Sequence, residues 1–289
     1  MSKYKVALLG VGLMGERMAG RLLARGTQLG LYNRSAEKTR ALAAGGARVF
    51  DTPAGAVEWA DASILMLSDA QAIREVLLAA PVRDRLNGHA VIQMGTIAPD
   101  ESREIAAEVK ACGGSYLEAP VLGSLPEAEA GTLLVMVGSD TAQYEHWAPL
   151  LEELAGKLEY IGEVGKAAAM KLAFNQLIAA LTSAFALSLG LVRHEAVPVE
   201  RFMGLLRASA LYAPTFDKKL ERMLSGDFDN AHFPLKHLLK DVDLFLQAAA
   251  PHGLDDAVLA GVRDILGRGV ADGLGECDYS ALCREIDPA

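Results

Sequence analysis

The stretch Ala7–Gly26, ALLGVGLMGERMAGRLLARG, joins a short apolar run to an amphipathic segment through three glycines. Gly10, Gly12 and Gly15 have a spacing in which the first permits a tight turn, the second lets the backbone approach a pyrophosphate, and the third lets helix and strand pack closely. Free N–H groups and the dipole of the following helix would favour the negative phosphates. The stretch therefore predicts a strand, a turn and a helix that bind a dinucleotide. The alternative is a glycine-rich turn with a structural role only.

The end of the second predicted strand bears on which dinucleotide is bound. An NAD site usually places an acidic residue there, about 20 residues after the glycines, to hold the ribose 2′-hydroxyl. Here the strand ends at Asn33, Arg34 and Ser35, and the first carboxylate is that of Glu37. The guanidinium fork of arginine suits a 2′-phosphate, and a serine hydroxyl can assist it. We therefore predict NADP, the alternative being a solvated Arg34 and a helix-capping Ser35.

The pattern along the chain predicts an α/β domain followed by an all-α domain. Up to about residue 160, short apolar runs alternate with helix-like segments; the runs are YKVALLG, LGLYN, ASILML, HAVIQM, GSYLEAP and LLVMVG. Such alternation predicts a mostly parallel, doubly wound sheet of the Rossmann type with helices on both faces. The helix-like segments include Met14–Arg25, Ala36–Ala44 and Pro99–Ala111. After IGEVGK only helical patterns follow, which predicts domains at 1–162 and 163–289 joined by a long helix.

Composition limits the class of function. The chain has 289 residues, 51% hydrophobic and 22% charged, with a net charge of -9, and this argues against nucleic acid as a partner. Three cysteines are too few and too scattered for a disulfide framework or a metal site. His232 and His237, five residues apart around a proline, lack metal-ligand spacing, so no metal is expected. The N-terminal apolar run is short and broken by glycines, and we predict a cytoplasmic protein.

An uncharged run of 21 residues extends from Leu172 to Val192. Its length as a helix would cross the hydrocarbon core of a bilayer, about 30 Å. Polar side chains interrupt it, and small residues recur at every fourth position from Ala180 to Ser188. This pattern favours a helix buried on nearly all sides over a membrane span.

Five motifs, in order, resemble those of the β-hydroxyacid dehydrogenase family, which includes 3-hydroxyisobutyrate dehydrogenases and glyoxylate/succinic semialdehyde reductases. The motifs are GVGLMGERMAGRLL, NRSAEK, EAPVLGSLPEAEAGTL, GEVGKAAAMKLAFNQ and FPLKHLLKDVDLFL. The resemblance spans both predicted domains. It is strongest to the glyoxylate/succinic semialdehyde reductase branch, at Gly123, Ser124 and Pro126–Glu129 and again at Phe233–His237. NADPH use and a homodimer or homotetramer, with the long helix packed between subunits, are implied by the resemblance.

The resemblance also implies the site residues. Lys171 would donate a proton to the substrate oxygen as hydride arrives, because an ammonium both neutralises and protonates an alkoxide. Asn175, four residues later on one helix face, would orient Lys171 or the substrate, and Lys240 would be a second cation beside the nicotinamide. The other implied cofactor contacts are Leu13, Met14 and Thr96, and the other implied substrate contacts are Phe233 and Asp241. The alternatives are a solvated lysine, a solvated acid and a core aromatic.

One position departs from the family pattern. Many members have a serine where this chain has Leu122, and that serine hydroxyl helps to hold a substrate carboxylate. The backbone N–H groups of Gly123 and Ser124 could still form an anion-binding nest. A carboxylate is therefore less strongly specified, and an uncharged aldehyde or ketone becomes more plausible.

These observations predict an NADPH-dependent reductase of small aldehydes, with aldehyde acids such as glyoxylate or succinic semialdehyde favoured. An imine reductase on the same fold is the first alternative, although such enzymes commonly lack a lysine at the position of Lys171. The second is a non-catalytic, dehydrogenase-like oligomerisation module. The joint presence of Lys171, Asn175 and Lys240 argues against that module.

Overall fold

The computed structural model describes residues 4–288 and divides into two compact units. The first extends to Lys171 and the second begins at Leu172, within one continuous helix. The boundary predicted from the sequence, after residue 162, lies a few residues earlier. The helix therefore starts in the first unit and continues as part of the second.

The first unit contains nine strands in one sheet. The strands are β1 (Lys5–Leu9), β2 (Gln28–Tyr32), β3 (Arg48–Val49), β4 (Ala62–Leu65), β5 (Ala90–Gln93), β6 (Ser115–Glu118), β7 (Val121–Leu122), β8 (Leu133–Gly138) and β9 (Ala155–Gly162). Their spatial order is β3-β2-β1-β4-β5-β6-β8-β7, with β9 also paired to β8. The strands from β3 to β6 pair in parallel, and the β8 pairings with β6 and β7 are antiparallel. This is the strand order of a dinucleotide-binding sheet with an antiparallel extension.

Helices connect these strands. They are α1 (Leu13–Ala24), α2 (Arg40–Ala44), α3 (Pro53–Trp59), α4 (Ala70–Leu77), α5 (Ala80–Arg83), α6 (Pro99–Ala111), α7 (Leu125–Ala130) and α8 (Thr141–Leu151). Strands β4 and β5 are buried at every residue, and apolar clusters lie on both faces of the sheet. Burial on both faces explains why the central strands are continuous apolar runs.

The structure confirms the doubly wound fold and the six predicted strands. Helix α6 has the predicted bounds, whereas the predicted helix Ala36–Ala44 consists of a short 3-10 helix followed by α2. Strands β3, β7 and β9 were not predicted. The first two have only two residues, and β9 has no buried residue, so none forms a buried apolar run.

The second unit is helical. It contains most of α9 (Lys166–His194), followed by α10 (Val199–Arg207), α11 (Pro214–Ser225), α12 (Leu235–Ala249), α13 (Ala257–Ala271) and α14 (Cys283–Ile286). Its core includes stacked rings of Phe185 and Phe216, with centroids 4.7 Å apart. Proline or glycine lies in several of the breaks between these helices, and proline lacks the N–H that a helix interior needs.

Helix α9 is long and apolar enough to cross a membrane. An 18-residue segment of it has a mean hydropathy of 1.6, and 44% of that segment is buried within the protein. The expectation of burial on nearly all sides is wrong for the single chain. One face packs into the core, whereas Leu187 and Leu191 on the other are 63% and 65% exposed. A core helix and a membrane span share these properties of length and hydropathy, so neither property identifies the role of α9.

A buried ion pair fixes the C-terminal segment of the second unit. Lys219 Nζ lies 2.8 Å from both carboxylate oxygens of Asp278, which is 0% exposed. Ser280 donates to the same carboxylate through its N–H and its hydroxyl. Although burial by itself would raise the pKa of Asp278, the Lys219 charge and these hydrogen bonds lower it below its usual range. The segment is thereby joined to α11.

We expect Asp278→Asn to lower the free energy of unfolding by about 3–5 kcal/mol at pH 7, because it leaves a buried ammonium without its counter-charge. The lowered pKa means that the ionised carboxylate stabilises the fold above about pH 4, and that this stabilisation is lost as the pH falls through the pKa of the folded state. Urea unfolding of both proteins between pH 7 and pH 3 measures this. The difference in unfolding free energy between wild type and Asp278→Asn should narrow below about pH 4. A constant difference would contradict a stabilising role of the ionised Asp278.

Candidate functional site

The glycine-rich turn between β1 and α1 has space only for glycine at two positions. Gly10 has a φ of +104°, and a Cβ there would lie 2.3 Å from the carbonyl oxygen of Met66. A Cβ on Gly15 would lie 2.1 Å from the carbonyl oxygen of Gly10. These contacts bring α1 close to the sheet, as the spacing of the glycines predicts.

Gly12, the second of the three glycines, faces open space. Gly12 is the N-cap of α1. Among residues 4–288, no side chain caps this helix end and no atom lies within 4 Å of a Cβ placed on Gly12. The first N–H groups of any helix lack acceptors within the helix. The turn therefore fits a dinucleotide pyrophosphate, with Leu13 and Met14 as the first residues of the helix that would receive it.

Asn33 holds this turn against the end of β2. Its Oδ1 accepts the N–H of Val11 at 2.9 Å, and its Nδ2 donates to the carbonyl oxygen of Ser35 at 2.9 Å. The sequence predicted Asn33 as a cofactor contact, whereas the structure uses both ends of its amide to shape the loop. Arg34 and Ser35 are exposed beside it. An exposed pair is compatible with a 2′-phosphate site and with the solvated alternative.

A second group of residues lines a small cleft in the same unit. The cleft is lined by Gln93, Gly95, Thr96, Ile97, Ser102, Glu118, Pro120, Ala168 and Lys171. It brings the predicted residues Thr96 and Lys171 together, and Lys171 is half-buried rather than a fully solvated lysine. Because β5 and β6 are parallel, Thr96 and Glu118 lie at the carboxyl edge of the sheet, where ligands bind in such folds.

Two residues that shape this cleft were not predicted. Gln93 ends β5 and holds the next turn through its side chain, accepting the N–H of Gly95 at 2.8 Å and donating to the Gly95 carbonyl at 3.0 Å. These two bonds fix the loop that carries Thr96. Glu118 is a buried carboxylate at the end of β6. The available signal for both was a polar residue near the end of an apolar run, which is Gln93 in HAVIQM and Glu118 in GSYLEAP.

The predicted substrate loop is less suited to an anion than the sequence suggested. Leu122 ends β7, and Gly123 follows with a φ of +139°. The N–H of Ser124 donates to Glu127 Oε2 at 2.9 Å, within the first turn of α7. The nest expected from the amides of Gly123 and Ser124 therefore has one amide already bound to a carboxylate.

The second unit brings together three predicted residues. Asn175 Nδ2 donates to Asp241 Oδ2 at 2.5 Å, and Lys240 Nζ lies 3.1 Å from Asp241 Oδ1. Asn175 is 1% exposed and Asp241 is 3% exposed, and the Asn175 Oδ1 atom has no hydrogen-bond partner within the described residues. A buried acceptor without a donor carries an energetic cost. The site therefore retains the capacity to accept one hydrogen bond at Asn175.

Phe233 lies against the core of the second unit. Its ring packs edge-on against Tyr279 with centroids 5.7 Å apart. This packing matches the alternative of a core aromatic, and the predicted substrate contact stays a prediction.

One histidine in each unit has a pKa that burial lowers. His89 Nε2 lies 2.8 Å from the hydroxyl of Ser63, and burial lowers its pKa to about 4. Burial, together with the charges of Lys240 and Lys236, also lowers the pKa of His237. Both rings are therefore neutral at pH 7. Within residues 4–288 no group of three histidine, cysteine or acidic side chains has the arrangement of a metal site.

Comparison with known proteins agrees with this architecture. The family model described as the NAD-binding domain of 6-phosphogluconate dehydrogenase matches residues 5–162. The model described as NAD-binding of NADP-dependent 3-hydroxyisobutyrate dehydrogenase matches residues 165–286. The chain belongs to the 3-hydroxyisobutyrate dehydrogenase family. It is an oxidoreductase with a nicotinamide-dinucleotide-binding domain, and the family resemblance inferred from five motifs is confirmed.

The individual proteins that the chain is similar to are described as having different functions. Glyoxylate/succinic semialdehyde reductase 1 of Arabidopsis thaliana is 30% identical over 98% of both chains. The crystallised 3-hydroxyisobutyrate dehydrogenase of Mycobacterium tuberculosis with L-serine is 25% identical, with a TM-score of 0.89 over 98% of this chain and 99% of that one. The cytokine-like nuclear factor N-PAC of Drosophila melanogaster is 29% identical over 86% of this chain, which spans 42% of that protein. Similarity to a relative therefore leaves the substrate open.

Proposed function

We propose that this dehydrogenase-family protein reduces small carbonyl compounds with NADPH, and that Lys171 supplies the proton. The observation that supports this most directly is the cleft that Thr96 and Lys171 share at the carboxyl edge of the sheet. The cofactor, when bound, supplies the hydride to the carbonyl carbon. The ammonium of Lys171 neutralises the developing alkoxide and protonates its oxygen.

The cofactor part of the proposal rests on the glycine turn and the segment after β2. The open face at Gly12 suits the pyrophosphate, and the exposed Arg34 and Ser35 suit a 2′-phosphate. The carboxylate expected at an NAD site is missing from the end of β2, where Asn33 bonds to the turn instead. These features favour NADP over NAD.

We expect Arg34→Ala to raise the KM for NADPH by about tenfold or more and the KM for NADH by less than about twofold, because only NADPH has a ribose 2′-phosphate for the guanidinium to bind. Asn33→Ala is the matched control. It loosens the glycine turn that both cofactors use, so it should weaken both by a similar factor of about five. Initial-rate kinetics with each cofactor measure these values. Equal effects of Arg34→Ala on both cofactors would refute the 2′-phosphate role.

The substrate class has two candidates. Aldehyde acids are favoured by the resemblance to the reductase branch and by the name of the Arabidopsis relative. Uncharged aldehydes or ketones are favoured by Leu122 and by the engagement of the Ser124 amide with Glu127. A substrate carboxylate near this loop would meet the carboxylate of Glu127, and like charges repel.

A panel of glyoxylate, succinic semialdehyde, propanal, acetone and a cyclic imine tests the proposal by NADPH oxidation at 340 nm (about 25 °C). We expect turnover of at least one carbonyl compound, and a loss of about 100-fold or more in kcat for Lys171→Ala, as for removal of a general acid. Lys171→Arg is the control that keeps the charge but not the proton transfer, and it should also be slow. Turnover of Lys171→Ala near the wild-type rate would remove Lys171 from the mechanism.

The two alternatives have distinct outcomes in the same panel. An imine reductase would reduce the cyclic imine and none of the carbonyl compounds. A non-catalytic module would oxidise NADPH with none of them while still folding. The half-buried Lys171 in the cleft and the buried pair of Asn175 and Asp241 favour the carbonyl reductase.

We also propose that a second copy of the chain covers the exposed apolar face of α9, giving a homodimer or a homotetramer. Within the second unit, this face carries Phe174, Leu177, Leu181, Leu187 and Leu191. Soluble monomers rarely leave so large a contiguous apolar stripe in water. Two identical stripes can pair about a twofold axis, which is the commonest symmetry of homo-oligomers. The cytoplasmic location stays a prediction.

Light scattering after size exclusion tests the assembly. We expect wild type to be a dimer or larger, and Leu187→Lys with Leu191→Lys to be shifted towards monomer. Leu211→Lys is the matched control, since Leu211 is 78% exposed but lies outside α9. A monomeric wild-type protein would exclude the proposed assembly.

A further inference from the structure

Glu118 is a carboxylate buried at the carboxyl end of β6, with 1% of its surface exposed. Its Oε1 atom accepts three backbone N–H groups from the start of α9, those of Gly165 at 2.8 Å, Ala167 at 2.8 Å and Ala168 at 3.1 Å. Its Oε2 atom accepts the hydroxyl of Ser102 at 2.5 Å. Glu118 therefore joins β6, α6 and α9 within the first unit.

Four donors compensate for the burial of this carboxylate. Burial raises the pKa of Glu118, and the hydroxyl of Ser102 with the three amides opposes that rise. The start of a helix also favours a negative group through its dipole. A buried charge without such donors is strongly disfavoured. The burial of the Glu118 carboxylate is therefore compensated only while the start of α9 stays in place.

The anchored amides lie on the face of α9 that carries Lys171. Ala167 and Ala168 precede Lys171 by four and three residues, and residues at these spacings are neighbours on one helix face. Glu118, Ala168 and Lys171 also line the same cleft. A shift of the first turn of α9 would therefore move the Lys171 side chain relative to Thr96.

We propose that Glu118 is a positioning residue, which holds the first turn of α9 and through it places Lys171 in the cleft. This inference rests on the proton-donor role proposed for Lys171. Glu118 acts through the helix backbone and takes no part in proton transfer.

Gly138 gives a second way to displace the carboxylate. It pairs with Glu118 across β6 and β8, and a Cβ on Gly138 would lie 2.4 Å from Glu118 Oε1 and 2.7 Å from its Cγ. The φ of Gly138 lies outside the left-handed region, so its backbone accepts an alanine. Gly138→Ala therefore acts on the position of Glu118 by contact alone.

Kinetics of three variants of the full chain test the proposal. We expect Glu118→Ala to lower kcat by about 10- to 100-fold, as for a displaced catalytic group, with the KM for NADPH unchanged within about twofold, because the glycine turn is untouched. Gly138→Ala should likewise lower kcat and leave the KM for NADPH unchanged. Glu118→Gln keeps an oxygen at the Oε1 position for the three amides, so it should rescue kcat to within about threefold of wild type.

A matched control separates positioning from general loss of stability. Ser63→Ala breaks the buried hydrogen bond to His89 in the same sheet, away from the cleft. It should lower Tm without lowering kcat. Gly138→Ala and Glu118→Ala combined should lose little more kcat than either alone, because both act on one contact. Additive losses, or a kcat of Glu118→Ala equal to wild type, would overturn the proposal.

Hydrogen exchange gives a readout independent of turnover. In the peptide that spans residues 163–172, we expect the amides of Gly165, Ala167 and Ala168 to exchange faster in Glu118→Ala and at the wild-type rate in Glu118→Gln. If wild type reduces none of the carbonyl compounds, the proposed function fails, while this comparison still decides the anchoring of α9. Unchanged exchange in Glu118→Ala would overturn the anchoring itself.

Discussion

The unsatisfied N–H groups at helix starts are the constraint on which the first unit depends. Several helices that follow a strand there receive a side-chain oxygen, as α3 does from Thr52, α4 from Asp69 and α8 from Asp140. The start of α9 receives the carboxylate of Glu118. Among the described residues, α1, the 3-10 helix after β2, α6 and α7 have no side-chain cap at their N-cap position. Of these, the start of α1 is where the dinucleotide pyrophosphate is predicted to bind, and its phosphates would supply acceptors for the free N–H groups.

Much of the fold could be predicted because buried parallel strands are apolar at successive residues, and six of nine strands have that pattern. Strand β9 could not be predicted in this way, because none of its residues is buried and it is held by pairing with β8. The helical unit was predicted because only helical patterns follow IGEVGK in the sequence. Local sequence is informative where burial or backbone chemistry is local, and uninformative where a distant partner determines the structure.

The same distinction between local and distant determinants applies to the residues of the candidate site. The glycine turn has a local signature, since each glycine answers a steric demand within a few residues. Two other contributors, Asn33 and Glu118, accept N–H groups from distant segments that the sequence does not pair with them. Gln93 bonds to Gly95, two residues away. Glu127 likewise satisfies the Ser124 amide three residues away, as a helix-start glutamate often does. That signal was present in the sequence, and it weakens the case for an anion at this loop.

Helix α9 has to meet two requirements that together explain its lack of charge. Its buried face, with Phe185 and Leu189, belongs to the core of the second unit, and its other face is an exposed apolar stripe. A charge on the first face would be buried without a partner, and a charge on the second would interrupt the stripe. Charged residues are therefore confined to the two ends of the helix, and Lys171 occupies the last position before the uncharged run begins. At that position the helix is still part of the first unit, where Glu118 fixes its backbone and the cleft receives the lysine side chain.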